Sequence, residues 1–337
     1  MTGGCGYIGS HTCITLLEKN YNVVIVDSLI NSYRDSLIQI KKILAIKEIN
    51  INGKIEFIKG DLRDKLFLEN VFRAYIKADK PIKSVIHFAG LKSIYASIKS
   101  PLEYWDLNIS STISLILIMK KYQCFSLIFS SSASVYKSQG MKLLKETDSL
   151  NPITPYGKTK LCIEEILRDL YSSENNWRIV NLRYFNPVGS HPSGLLREKS
   201  KDKSSNLFPE IIKTIKGNQS KFLIFGNSWP TYDGTCIRDF IHVSDLADAH
   251  IATLNFLQNN KPQNISINIG TGKGTSVLTI IKTFQEIKGI SFEYDFANKR
   301  IGDQPFLVAD NKLALKLLNW FPKRNIFDMC NDSVINI

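Results

Sequence analysis

The stretch from Met1 to His11, MTGGCGYIGSH, decides how the rest of the chain is read. Its glycines fit two spacings at once, Gly4-x-Gly6-x-x-Gly9 and Gly3-x-x-Gly6-x-x-Gly9. Either one marks a turn stripped of side chains, so that backbone amides can approach a pyrophosphate at a helix N-terminus. An apolar helical pattern follows through Ile14, Leu16 and Leu17, and the strand NVVIVD then ends on Asp27. A carboxylate at the end of a second strand, about 20 residues beyond such a turn, accepts hydrogen bonds from ribose hydroxyls and repels a 2′-phosphate. The unit therefore reads as a dinucleotide site that takes NAD in preference to NADP.

Outward from this unit, strand and helix alternate. A helical stretch through Leu37, Ile40, Ile43 and Leu44 precedes the strand KIEFI and the sequence Gly60-Asp61-Leu62. Leu68, Val71, Phe72, Tyr75 and Ile76 fall on one face of an amphipathic helix that Lys80-Pro81 closes. The short apolar strand SVIHF leads into Ala89-Gly90, small residues where a parallel sheet leaves its ligand crevice. A helix from Pro101 to about Tyr122 carries Asn108, and the strand FSLIFS runs into Ser130-Ser131-Ser132. The pattern predicts an α/β fold with a doubly wound, parallel, Rossmann-like sheet over residues 1–185. Residues 186–337 read as a smaller mixed α/β substrate lobe with some segments returning to the sheet. The hydrophilic REKSKDKSS, most of which lies outside the residues described below, interrupts it, and shorter, mixed elements follow: KFLIFG, a helix from about Ser244, NISINIG and a final helix around Asn311 to Leu318. The run Gly270-Thr271-Gly272-Lys273-Gly274-Thr275 imitates a phosphate loop, but glycine stands where Ser or Thr should hold magnesium. It is expected to be a turn before a helix capped by Ser276.

Composition narrows the function classes. With 337 residues, 44% of them apolar and 22% charged, the chain has globular composition and a sizeable core. Its net charge of +12 is spread over scattered lysines, with no aromatic-and-basic stripe or nucleic-acid motif. The basic balance suits attraction of an anionic small molecule, and no nucleic-acid partner is expected. Six cysteines lie far apart without C-x-x-C pairing and read as reduced thiols of a cytoplasmic protein. The longest greasy run, Leu115 to Met119, falls far short of the roughly 20 residues that span a bilayer, so no membrane association is expected. The five histidines lack ligand spacing, and no metal site is expected.

Three segments carry the chemistry: the glycine turn, the strand end at Ser132, and Tyr156-Gly157-Lys158-Thr159-Lys160 at the start of a helix. Tyr156 and Lys160 are four apart and share a helix face. Tyrosine is a poor base near neutral pH, since its unperturbed pKa is about 10. Lowering it to about 7 takes roughly 4 kcal/mol, which a nearby ammonium and a positive nicotinamide ring can supply together. Ser132 would hold the reacting sugar oxygen in line with Tyr156, so that proton transfer accompanies hydride transfer.

These segments, with HFAGLK, FSSSASVY, KSPLEYWDLN, PYGKTK, LRYFNPVGSHPSG, YDGTCIRDFIHVSDLADAH and Arg300 to Asp303, closely resemble the extended short-chain dehydrogenase/reductase family, and within it the epimerases of UDP-glucose and UDP-galactose. The similarity runs from Thr2 to about Trp320. The resemblance implies an NAD site formed by Gly3, Gly6, Tyr7, Ile8, Gly9, Asp27, Asn31, Ser32, Asp61, Leu62, Phe88, Ala89, Gly90, Lys92, Asn108 and Tyr184, with Tyr156 and Lys160 also touching the cofactor. It implies a UDP-sugar held by Lys92, Ser132, Tyr156, Asn186, Asn206, Leu207, Arg238, Arg300, Asp303 and Leu307, with Ser132, Tyr156 and Lys160 catalytic. It further implies a homodimer. Arg238 and Arg300 offer forks for a diphosphate, and Asp303 can accept from ribose hydroxyls.

Related dehydratases carry acidic residues just after the catalytic hydroxyl, where this chain has Ala133 and Ser134. The expectation is therefore 4-epimerisation through a transient 4-keto sugar, with NAD tightly held and no net oxidation. The alternatives are a 4-epimerase of another UDP-sugar (UDP-N-acetylglucosamine or UDP-glucuronate) or a non-catalytic NAD-binding relic. Leu307 stands where the family places its substrate gate. Only Met1 and Thr2 precede the glycine turn, where the fold calls for a whole central strand between NVVIVD and SVIHF. The native protein is therefore expected to begin a few residues upstream.

Overall fold

Helix α1 (Tyr7–Glu18) opens directly from the glycine turn, with Gly6 as its N-cap. It leads into β1 (Val23–Asp27), α2 (Asp35–Ile46), β2 (Ile55–Lys59) and α3 (Lys65–Lys77), whose N-cap Asp64 accepts from the Phe67 amide. Next come β3 (Val85–His87), α4 (Ile94–Lys99), α5 (Pro101–Trp105), a π-helical turn (Asp106–Ser110) and α6 (Ser111–Lys121). The helix expected from Pro101 to Tyr122 is thus one run interrupted by a wider turn. Strand β4 (Ser126–Ser132), α7 (Pro155–Ser173) and β5 (Arg178–Tyr184) follow. Thr154 caps α7 through the Gly157 amide, with Pro155 in the first turn, where its missing N–H is harmless. The computed structural model describes residues 1–199, 206–287 and 290–335.

Strand pairing in this first part is parallel: β1 with β2, β3 with β4, and β4 with β5. Met1 and Thr2 lie between β1 and β3 and make the ladder bonds of a central strand. Thr2 bridges Val26 and His87, the Val26 amide donates to Met1, and the Thr2 amide donates to Ile86. A strand order β2-β1-(Thr2)-β3-β4-β5 results. The two residues counted from the sequence as too short for that strand do its pairing locally.

Past residue 185 the chain runs through β6 (Asn186–Val188), α8 (Leu207–Ile215), β7 (Phe222–Phe225), β8 (Ile237–His242), α9 (Val243–Asn259) and β9 (Gln263–Ile269). It ends with β10 (Gly274–Ser276), α10 (Val277–Glu286), β11 (Tyr294–Ala297), β12 (Phe306–Leu307), α11 (Lys312–Leu318) and α12 (Ile326–Ser333). Strand β9 extends the large sheet by pairing in parallel with β5. Strand β8 centres a second sheet, antiparallel to β10 and parallel to β6 and β12, while β7 and β11 form a parallel pair. The turn expected over 270–275 is shorter than that, because Gly274–Ser276 pairs with β8; three residues are too few to display alternation. Ser276 caps α10, as expected, by accepting from the Thr279 amide. The helix at Lys312–Leu318 is followed by α12, whose polar sequence hides it and whose start a capping box at Asn325 and Asp328 fixes.

Side chains of the large sheet alternate between two cores. One joins Ile25 and Val180 to α1, α2 and α9 through Ile14, Leu17, Ile40 and Leu254. The other joins Phe129 and Ile179 to α3, α6 and α7 through Phe72, Met119, Ile163 and Trp177. Each fully buried large apolar side chain contributes about 1.5–3 kcal/mol. These layers hold the carboxyl ends of β1, β3, β4 and β5 in one row.

Candidate active site

The glycine turn is shaped by close approach. Gly3 has φ +66°, and a Cβ there would lie 2.6 Å from the Ala89 amide nitrogen. A Cβ on Gly9 would lie 2.6 Å from the Gly3 carbonyl oxygen. Asp27 is buried and receives the Cys5 amide on Oδ2 (2.9 Å) and the Leu29 amide (2.9 Å) and Ser32 hydroxyl (2.8 Å) on Oδ1. The expected ribose acceptor thus also fastens the glycine turn, and Oδ2 retains acceptor capacity. No side chain caps α1, so its first amides face outward from a turn bearing Gly6, Tyr7 and Ile8. The uncapped amides, the side-chain-free cradle and the carboxylate fit NAD: pyrophosphate on the amides, ribose on Asp27.

The other cofactor candidates line the same edge. Phe88, Ala89 and Gly90 follow β3, and Phe88 lies 4.8 Å, centroid to centroid, from the ring of His250. Asn108, in the π turn, accepts the Leu91 amide at 2.7 Å and donates to the Leu91 carbonyl and the Thr159 hydroxyl. Leu62 is buried in the core beside Val26, whereas Asp61 sits at the surface bonded to Arg63, which holds its carboxyl below the usual range. Arg63 also reaches Asp106. Asn31 is partly exposed in the loop after β1. Tyr184 is buried; its hydroxyl donates to His250 Nε2 at 2.5 Å, because Nδ1 of that ring is committed to the Leu246 carbonyl.

Ser132, Tyr156 and Lys160 come together at the end of β4 and the first turns of α7. Ser132 lies near enough to Tyr156 to lower its pKa slightly, and its Oγ accepts the Ser134 amide at 3.1 Å. Lys160 is buried, lies 5.8 Å from the centroid of the Tyr156 ring, and donates to the Ser130 carbonyl at 2.8 Å. The sequence led us to expect a lowered Tyr156 pKa. Burial instead raises it, against a smaller opposing effect of Ser132. Burial also lowers Lys160 to about 7, which weakens its hold on a positive charge near neutral pH.

The substrate candidates gather along the second sheet. Arg238 donates through Nη1 to the carbonyls of Ile237 (3.0 Å) and Gln304 (2.6 Å), and its Nη2 lies 3.8 Å from Asp303. Arg300 donates to Asp303 at 3.0 Å while its guanidinium lies 4.4 Å above the Phe225 ring. Both forks therefore converge on Asp303. Leu307 pairs with Arg238 and packs with Ala133, Val135 and Tyr136, beside the turn that follows Ser132. Asn186 sits in β6 opposite Phe240. Asn206 is the N-cap residue of α8, Leu207 opens that helix, and Asn206 donates to Glu198 at 2.7 Å. Lys92 donates to the same Glu198 oxygen, also at 2.7 Å.

Sequence reasoning passed over several residues here. Glu198 links Lys92 to Asn206, but it sits inside a charged run and gives no signal. Gln304 is buried, accepts the Ser138 amide, donates to the Tyr136 carbonyl and supplies the carbonyl that Arg238 uses. Thr159 and Glu164 could have been found, since they lie three and eight residues beyond Tyr156 on its helix face. Among the described residues no cluster of three or more His, Cys, Asp or Glu could hold a metal, and no helix is long and apolar enough to cross a membrane.

The chain as a whole is similar to proteins of known activity and structure. A UDP-glucose 4-epimerase of Bacillus subtilis (strain 168) is 41% identical over 334 residues, covering 99% of this chain and 94% of that protein. The crystal structure of a UDP-glucose-4-epimerase from Stenotrophomonas maltophila with bound NAD and formylated UDP-arabinopyranose matches with a TM-score of 0.91 and 40% identity, over 98% of this chain and 95% of that one. A UDP-glucose 4-epimerase from Bifidobacterium longum in complex with NAD+ and UDP matches with a TM-score of 0.90 and 39% identity, over 99% and 96%. The sequence model of the NAD dependent epimerase/dehydratase family matches residues 1–270. This chain belongs to the NAD dependent epimerase/dehydratase family.

Proposed function

We propose that the chain is an NAD-dependent isomerase that interconverts UDP-galactose and UDP-glucose at the fourth carbon of the sugar. The observation that carries the reading is the Ser132–Tyr156–Lys160 cluster beside the NAD cradle, with Ala133 and Ser134 where a dehydrating site would need an acid. Bound NAD supplies a reversible hydride acceptor, so the sugar passes through a 4-keto form and ends with no net oxidation. Tyr156 takes the proton of the 4-hydroxyl and returns it, and Ser132 orients the oxygen that loses it. Lys160 favours the ionised tyrosine, most strongly when its own charge is complete. Leu307, against the wall beside Ser132, limits room for an N-acetyl arm. The lobe beyond residue 185 holds the UDP portion through Arg238, Arg300 and Asp303, and the segment up to 185 holds NAD. A cytoplasmic location is part of this reading, and the six unpaired thiols support it. We further read α5 to α6 as the face for a second copy of the chain, on the strength of exposed Leu102, Trp105, Ile113 and Leu117 spaced along one side.

The test is incubation of the purified holoenzyme with UDP-galactose. UDP-glucose should accumulate to an equilibrium mixture without net NADH formation. No conversion would leave a non-catalytic relic, and equal or better turnover of UDP-N-acetylglucosamine or UDP-glucuronate would move the activity to another UDP-sugar.

A further inference from the structure

Glu164 and Arg183 form an ion pair that is 1% and 3% exposed, one helical turn beyond Lys160. Arg183 donates Nη2 to Oε2 at 2.6 Å and Nε to Oε1 at 3.0 Å, a two-pronged contact. Glu164 stands four residues after Lys160 and eight after Tyr156 on α7, so all three occupy one helix face. Its Oε1 also accepts the Ser131 hydroxyl at 2.5 Å, and its Oε2 that of Ser266 at 3.3 Å. Arg183 donates its remaining nitrogen to the Tyr136 hydroxyl at 2.7 Å and the Glu146 carbonyl at 3.2 Å. Tyr136 in turn donates to Asn268, on the neighbouring strand.

The connections have a direction. Ser131 precedes Ser132 in the chain, and Tyr136 ends the short turn that follows it. Both are tied through the same carboxylate and guanidinium to the helix that carries Tyr156 and Lys160. Removing two charges from water costs several kcal/mol per ion, and apolar residues of similar volume often fill such a place without loss of stability. Stability therefore does not account for the pair, whereas fixed geometry between β4 and α7 does.

We propose that Glu164 and Arg183 are positioning residues that fix Ser132 against Tyr156 and Lys160 by clamping the chain on both sides of Ser132 to helix α7. The inference rests on the catalytic reading of that trio. Two variants of the NAD-bound enzyme test it, Ser131→Ala, which cuts the link from strand to helix by one hydroxyl, and the double substitution Glu164→Leu/Arg183→Met. UDP-galactose turnover should fall roughly tenfold in Ser131→Ala and further in the double variant, with KM within about twofold, since small misplacements act on the chemical step. The acidic limb of the kcat–pH profile should move to higher pH as the Ser132 hydroxyl drifts from Tyr156 and stops favouring the phenolate, a shift that thermal weakening alone does not produce. Parental kcat and an unmoved limb in Ser131→Ala would overturn the proposal, and that variant decides if the double one does not fold. Tyr156→Phe in the same assay separates the two claims: if it stays active the catalytic reading fails, and if it alone is inactive only the clamp fails.

Discussion

Burial moves Tyr156 and Lys160 in opposite directions, the phenol up and the ammonium down, and both shifts favour the neutral forms. The buried lysine should make the phenol more acidic, yet its own burial brings it to about 7 and strips part of the charge that would do so. Burial, which a four-residue spacing does not reveal, outweighs the argument from sequence for a lowered Tyr156 pKa. Tyr156→Phe keeps the ring and should lower turnover by about 10²–10⁴-fold while leaving NAD and UDP binding intact, measured by kinetics beside calorimetry. Lys160→Met is expected to separate stability from activity. A base whose pKa is lower folded than unfolded binds fewer protons in the folded state, so its destabilising contribution is full below about 7 and fades as pH rises towards its ordinary value. The melting temperature of Lys160→Met relative to the parent should therefore be most favourable near pH 6 and decline towards pH 10; a difference constant with pH would contradict this. Leu307→Ser should raise turnover of UDP-N-acetylglucosamine roughly tenfold relative to UDP-glucose, the scale that one pocket side chain controls.

The run from α5 to α6 shows what an element can hide. Leu102 is 82% exposed and Leu117 46% exposed, with Trp105 and Ile113 between them on the same side, while Leu115 and Met119 on the opposite side are buried. A lone domain gains nothing from that outer stripe, and a second copy packing on it would. Trp105→Glu/Leu117→Glu should convert a dimer into a monomer in sedimentation velocity, and a parent protein already monomeric at micromolar concentration would remove the interface. The helix itself was readable from periodicity. Its π turn was not, because that turn exists to bring Asn108 against Leu91 and Thr159, contacts 17 and 51 residues apart in the chain. The same contrast holds for the site. The glycine turn, Asp27 and the Tyr156–Lys160 spacing were legible because local backbone geometry demands them. Arg183 carries no spacing signal in the sequence, and only the approach of α7 to β5 gives it Glu164. Residues whose partners come from distant segments carry no spacing signal, and β10 and α12 escaped because short or polar elements show no period.

Four of the five histidines bear on the acid stability of the whole molecule. Burial lowers His11 and His87 to about 3 and His250 and His191 to about 4, against an ordinary value near 6.5. Their partners agree with neutral rings. His87 donates Nε2–H to Thr112, which itself donates to the Asn108 carbonyl, and so accepts from Thr2 at Nδ1. From about pH 6.5 down to 4 the unfolded chain binds protons that the folded chain refuses, and stability must fall as pH falls through that window. Asp239 runs the other way. Burial outweighs the bonds it accepts from Thr271, Gly272 and Ala309 and raises it to about 6, so the folded state takes up one proton early. Glu146 and Asp248 are shifted in the same direction. Four histidines less Asp239 leave at most about three protons, or roughly 4 kcal/mol per pH unit at the steepest, against a total stability of about 5–15 kcal/mol. Urea unfolding at pH 7, 6 and 5 should therefore show a loss that steepens below pH 6, with the fold lost before pH 4. In His11→Asn, whose amide can still donate near the position from which Nδ1 reaches the Tyr7 carbonyl, the slope should drop by about one proton. A parent whose unfolding free energy is level from pH 7 to pH 5 would mean that these rings are protonated in the folded protein, and with them the hydrogen bonds that tie β3 to the π turn at Asn108 would have to be drawn differently.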